Sequence, residues 1–259
     1  MLVVAPHPDD EAIGCAGTIL RHRRAGDLVC VVHVTDGGAS RALGLDAETM
    51  RRRRRAESER AARLLDVQRF EWLGLREGEW TFDEGRAGLR AIAADFAPDL
   101  CYAPSRLDYH PEHVRAAEAL AAVVSGGTVT RIYPVHVPLL GAVNLVTDVS
   151  AEVSTIDAVV ASYVTQAAST ARAARLRRYA AAFYRCGRAA ETFWELPASA
   201  YRALHASGAA KDGPWRGLRE RPWSDPLAYL RGALERGRLA KSLRDARPQG
   251  PADDALTPR

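Results

Sequence analysis

The chain lacks the marks of an oxidising compartment and of a membrane. Its four cysteines, Cys15, Cys30, Cys101 and Cys186, are scattered without paired spacing, so neither a disulfide framework nor a cysteine-rich structural zinc site is expected. No run approaches the ~20 apolar residues that a bilayer crossing needs. The apolar start is short, has no basic segment before it and runs straight into charges, so no secretory leader is expected, and the expected location is cytoplasmic. Charge imbalance is also small. Lys+Arg number 36 against 32 Asp+Glu in 259 residues, a net +4 carried almost wholly by arginine. That is too little by itself to mark a nucleic-acid binder. Internal repeats are missing as well. What remains is an ordinary globular composition, 47% hydrophobic and 26% charged, enough for a sizeable core in one large or two small domains.

Short apolar runs alternate with helical spacing. "LVVA" (2–5), "LVCVVHVTDG" (28–37), "RFEWLGL" (69–75), "DLCYAP" (99–104) and "TRIYPVHVPL" (130–139) read as strands. Residues 14–26, 46–67, 86–97 and 110–124 between them read as helices, and 150–166 and 168–196 read as further helical segments. Strict alternation with near-continuously apolar strands predicts an α/β fold, a Rossmann-like, mainly parallel sheet with helices on both faces. One domain is expected over residues 1–207. From about residue 208 the texture turns to Gly, Pro, Arg and Trp. Residues 208–259 are therefore expected to form a basic C-terminal extension, helical over 225–243 and disordered in its tail.

Ligands of open parallel sheets bind beyond the carboxyl ends of the strands. Three polar clusters fall there: "HPDDE" after the first strand, "TDGG" after the second and "DYHPEH" after the fourth. Four ionisable groups in five residues, His7 and Asp9 to Glu11, are costly to bury unless a cation offsets them. His7, Asp10 and His113 supply the three protein ligands of a catalytic zinc, which leaves its fourth position for water. Asp9 then stands unliganded beside the metal as a general base, and His110 can supply a proton to a leaving group. Each cluster also fits a capped helix start, with Asp or Pro at the first turn. Two of them at parallel strand ends favour the metal reading.

"PHPDDEAIGCAG", "VTDGG", an Arg/Glu helix ending "AARLLDV", "WLGLREGE" and "DYHPEHVRAAEA" together resemble the PIG-L (LmbE-like) zinc N-deacetylases, over roughly residues 2 to 195. The resemblance implies a Rossmann-like fold, one Zn2+ per chain (or another divalent transition metal), and removal of acetyl from an N-acetylated amino sugar. It maps zinc ligands onto His7, Asp10 and His113, the base onto Asp9, and transition-state stabilisation or amine protonation onto a protonated His110. Glu112 stands where the family usually has Asp. It is expected to support His110 and not the metal.

Other site residues are less sharply drawn. Within "RRRRR" (51–55), Arg54 shares a helix sector with Met50, Ala61 and Leu65. It either pairs with a buried acid, such as Glu57 or one near the metal, or reaches substrate. The other four arginines read as surface. Glu77 could accept hydrogen bonds from sugar hydroxyls or be a plain loop charge. Tyr109 could line the pocket or pack. Asp36 is placed to support His7 or Asp9 from behind. His136, on a later apolar run near the site, could be a pocket residue, but the favoured reading is a satisfied core side chain. The partner expected is a small N-acetylated substrate, a sugar or glycoside, with no nucleic acid and no membrane span, and a homo-oligomer is left open. Two rivals remain: a zinc amidohydrolase of a non-sugar natural-product amide, and a non-enzymatic nucleic-acid or partner-binding module using Arg51–Arg55.

Overall fold

The computed structural model describes residues 1–108, 110–139 and 142–206. The expected extension over 208–259 and Tyr109 lie outside the described residues.

Five strands run parallel: β1 (Leu2–Ala5), β2 (Cys30–Thr35), β3 (Arg69–Leu75), β4 (Leu100–Pro104) and β5 (Val129–Tyr133). Two more complete the sheet, β6 (Leu145–Asp148) and β7 (Ala190–Pro197), in the order β3-β2-β1-β4-β5-β7-β6. β7 is antiparallel to both of its neighbours. The chain moves outward from β1 through β2 to β3, then returns to the other side of β1 for β4 and β5. The crevice between β1 and β4 is therefore the switch point, where the loops leaving both strands diverge and leave room for a ligand.

The helices are α1 (Asp10–Gly14), α2 (Ala16–Arg24), α3 (Ala47–Leu64), α4 (Phe82–Phe96), α5 (Pro111–Ala121), α6 (Val153–Ala161), α7 (Ala167–Tyr184) and α8 (Ala198–Ala206). Side-chain alternation in β1 divides the core. Leu2 and Val4 join α4, α5 and α8 on one face, while Val3 joins α1, α2, α3, α6 and α7 on the other. Both faces are thus covered, as the apolar strands require.

Four local expectations change. The helix read over 14–26 starts earlier and is broken at Cys15, whose φ of −137° is not helical. The strand read over 130–139 ends at Tyr133, since Pro134 has no N–H to continue the ladder. The stretch 168–196 is helical only to Tyr184. Arg185 then takes a left-handed conformation, φ 53°, and Ala190 begins β7. β6, at the sheet edge and short, carried too weak an apolar pattern to be read.

β7 does more than widen the sheet. Its Glu191 is 3% exposed. The carboxylate accepts from Gly17 N (3.0 Å) and Thr18 N (2.8 Å) at the start of α2 and from Arg177 Nε (2.9 Å) on α7. Arg177 Nη2 in turn donates to the carbonyls of Ala12 and Ile13 at the end of α1. One buried ion pair therefore fixes the α1–α2 corner that follows "HPDDE". Glu191→Ala leaves the guanidinium buried without its counter-charge and is expected to cost about 3–5 kcal/mol. Chemical denaturation checks this; a loss below about 1 kcal/mol would mean that the pair is not what anchors the corner.

Candidate metal centre

Beyond β1 the chain folds back on itself: His7 N donates to Asp10 Oδ2 at 2.8 Å and Asp10 N to His7 O at 3.2 Å. This tight turn sets the Asp10 carboxylate against the His7 ring. Beyond β4, His110 is the N-cap of α5 and Pro111 occupies its first turn, where a missing N–H is harmless and the fixed φ suits a helix. His113 follows one turn into α5 and is fully buried.

Across the crevice three atoms converge. His7 Nδ1 lies 3.2 Å from Asp10 Oδ2 and 3.2 Å from His113 Nε2, which is itself 3.3 Å from Asp10 Oδ2. Ligand atoms at about 2.0–2.1 Å from a tetrahedral zinc stand roughly 3.3 Å apart, so this near-equilateral triangle of two imidazole nitrogens and a carboxylate oxygen fits such an ion. Ligand atoms of His7, His110 and His113 also lie within 4.8 Å of one another. The tighter set is the one with Asp10.

Each of the two imidazoles has a carboxylate on its far nitrogen. Glu112 Oε2 is 2.7 Å from His7 Nε2, and Asp108 Oδ2 is 3.2 Å from His113 Nδ1, off hydrogen-bond alignment. Such partners fix the ring orientation and raise ligand basicity. Glu112 is held in turn, its Oε1 accepting from Gly78 N (2.8 Å) and Trp80 Nε1 (2.6 Å). The expectation for this residue changes accordingly. The Glu112 carboxylate faces His7, and its link to His110 is only the backbone N–H that it donates to His110 Nδ1 at 3.3 Å.

Burial opposes protonation of His7, yet the carboxylates of Asp10, Glu112 and Glu77 outweigh it and hold the ring well above its usual range. His113 is likewise pushed up to about 9, burial being overcome by Asp10 and Asp108. Asp10 and Asp108 are held well below the usual carboxylate range against their burial, Asp10 by His113 and His7, Asp108 by His136 and His113. His110 goes the other way, down to about 2, through burial and the positive charge of His7 and His113. With Nδ1 accepting from Glu112 N, the proton sits on Nε2.

Asp9 is 5% exposed and adopts φ 138°, ψ −18°, a backbone region that side-chain-bearing residues avoid and that tends to mark functional positions. Arg54 holds it, with Nη2 donating to Asp9 Oδ1 at 3.0 Å and to Pro8 O at 2.6 Å. Burial raises the Asp9 carboxyl to about 7 in spite of this guanidinium. Of the two readings open for Arg54, pairing with an acid near the metal holds. Glu57, the other suggested partner, instead accepts from Thr165 N and Oγ1 at 3.0 and 2.6 Å.

Glu77 borders the centre, 3.9 Å from both His7 Nε2 and Arg54 Nη1. Asp36 touches neither His7 nor Asp9 in any hydrogen bond or ion pair among the described residues. Its Oδ1 accepts from Gly38 N (2.9 Å) and Glu77 N (3.1 Å), so it positions the loop that carries Glu77. Three participants went unassigned from sequence: Asp108, Trp80 and His136. His136 Nδ1 lies 3.1 Å from Asp108 Oδ1, and its ring stacks on that of His113 at 5.1 Å. The usable signal was its position just past the end of β5, on the ligand-binding side of the sheet.

Residues 2–124 match the family model described as PIG-L, GlcNAc-PI de-N-acetylase. Two curated relatives carry the same name, probable N-acetyl-alpha-D-glucosaminyl L-malate deacetylase 2. The one from Bacillus subtilis (strain 168) is 33% identical over 129 residues, covering 46% of this chain and 58% of the relative. The one from Bacillus anthracis is 29% identical over 134 residues, covering 48% and 59%. The chain thus spans less than two thirds of the length of the curated relatives it matches. Among solved structures, the N,N′-diacetylchitobiose deacetylase from Pyrococcus horikoshii superposes with a TM-score of 0.65 at 24% identity, over 77% of this chain and 84% of that one; at this identity it speaks for the fold alone. Residues 2–124, the stretch that matches the PIG-L family model, supply every side chain of the convergent triangle.

Proposed function

We propose that this chain is a zinc-dependent N-deacetylase that removes an acetyl group from an N-acetylated amino sugar or a small molecule containing one. The observation that carries the reading is the triangle of His7 Nδ1, Asp10 Oδ2 and His113 Nε2 with the unliganded Asp9 beside it. The names of the curated relatives, which are sugar-conjugate deacetylases, support the substrate class.

His7, Asp10 and His113 would hold the ion. A divalent ion there supplies Lewis acidity toward an amide carbonyl and makes water acidic enough to be deprotonated near neutral pH. Asp9, whose ionised form Arg54 favours and whose strained turn holds it in place, accepts the proton of the attacking water. His110 donates a hydrogen bond from Nε2 to the oxygen that gains charge, and the proton that Asp9 has taken from the water passes to the departing nitrogen. Glu77 at the rim accepts hydrogen bonds from sugar hydroxyls. Acetate and a free amine leave.

The basic-module rival loses ground on specific contacts. Arg51 pairs with Glu48 at 2.7 Å, Arg54 with Asp9 and Arg55 with Glu59 at 3.2 Å, so "RRRRR" offers no continuous cationic face. Among the described residues no helix is long and apolar enough to cross a membrane.

Zinc-loaded protein is expected to release acetate from at least one member of a panel of N-acetylated amino sugars and their conjugates, and to stop on chelation. Asp9→Asn should keep stoichiometric zinc and lose about 100-fold or more in turnover, while His113→Ala should lose the zinc itself. Full activity in Asp9→Asn would falsify the assignment of the base.

In Glu112→Gln one oxygen that accepts a proton becomes an amide that presents protons to His7, Gly78 or Trp80. Zinc affinity, measured by chelator competition, is expected to fall about 10- to 100-fold; unchanged affinity would detach Glu112 from the metal. Arg54→Met removes a cation that favours ionised Asp9, so the carboxyl pKa rises further. Because a base works only when deprotonated, the acidic limb of kcat/KM should move to higher pH. A limb that stays put, or moves down, means that Arg54 does not set the charge of Asp9.

A further inference from the structure

Away from the metal centre, the described residues enclose a cavity of about 350 Å³ between α6, α7 and the turn leading into β7. Its walls include Arg177 and Arg178 of α7, Arg188 of the turn, and Ser154 and Asp157 of α6. Three guanidiniums face one carboxylate. Arg177 is 5% exposed and only partly satisfied: Nε is taken by Glu191 and Nη2 by two carbonyls, but Nη1 has no hydrogen-bond partner. Buried donors in native proteins rarely stay unpaired, and an orphan calls for water or a bound acceptor. The first turn of α6 also reaches the cavity through Val153 and Ser154, and its N-cap, Glu152, makes no side-chain capping bond. The carboxylate of Glu152 is turned to Arg24 on α2 instead. First-turn amides and the positive end of the helix dipole therefore add to the arginines.

We propose that this cavity binds a small oxyanion, with a phosphate group as the chemistry it recognises. Arg178 and Arg188 are exposed; Arg188 Nε and Nη2 donate to Ser150 O at 3.4 and 3.2 Å, so the Arg178 fork and the outer Arg188 nitrogen are the groups offered to phosphate oxygens. Arg177 contributes fixed charge from behind them. The volume lies at the small end of ligand sites, roughly 300–1,000 Å³, enough for a phosphate on a compact carrier. The same Arg177 holds the carbonyls that end α1, so the anion site is one side chain removed from the helix that begins with Asp10. The proposal stands independently of the deacetylase reading.

Inorganic phosphate, titrated calorimetrically at constant ionic strength against a chloride control, tests it. Wild type is expected to bind saturably. His113→Ala should bind equally well, which separates this site from phosphate on the metal. Arg178→Ser/Arg188→Ser should bind at least about tenfold more weakly with an unchanged far-UV spectrum, and Arg188→Ser alone serves if the double variant does not fold. Absence of saturable binding in wild type, equal affinity in the arginine variants, or loss of binding in His113→Ala would each overturn it.

Discussion

Buried charge at the tips of β1 and β4 is the constraint around which the molecule is organised. Asp9, Asp10, Asp108 and Glu112 are all at most 5% exposed, next to His7 at 6% and His113 at 0%. Ionised carboxylates leave water only when partners replace the lost hydration. Each has a specific one here: Arg54 for Asp9, His7 and His113 for Asp10, His113 and His136 for Asp108, His7 with Trp80 and Gly78 for Glu112. The partners come from the loop after β1, from α3 and α5, and from the loops after β3 and β5, so distant parts of the fold each contribute a fixed group to one small volume.

The parallel core was legible because its strands are continuous Val/Ile/Leu runs bounded by helical spacing, and because an apolar strand followed at once by "HPDDE" announces a ligand end. β7 was not. "AETFWELP" (190–197) alternates weakly, follows an Ala/Arg-rich helix and owes its strand form to pairing with β5 and β6, which only tertiary context supplies. The residues of the triangle were legible through spacing within each motif, since i to i+3 places groups together on one turn. Their partners were not. Asp108 and His136 meet only because β4 and β5 are neighbours in the sheet, and Trp80 reaches Glu112 across 32 positions of sequence.

Glu112 and Asp36 show why a motif position does not fix a contact. Both are carboxylates near the expected place, and both serve a neighbour other than the expected one. In Glu112 the carboxylate faces His7, and only the backbone N–H reaches His110. In Asp36 the turn decides. "TDGG" bends so that the carboxylate binds its own loop and the backbone of Glu77, turning a support for the centre into a support for its rim.

The loop from Glu77 to Trp80 is bonded through Gly78 and Trp80 to the carboxylate that orients His7. Under the proposed function, substrate preference and metal retention would therefore not be separable traits. A rewrite of that loop for a bulkier ligand would also disturb the His7 ring, so new specificities would arise more readily from the opposite wall of the cleft.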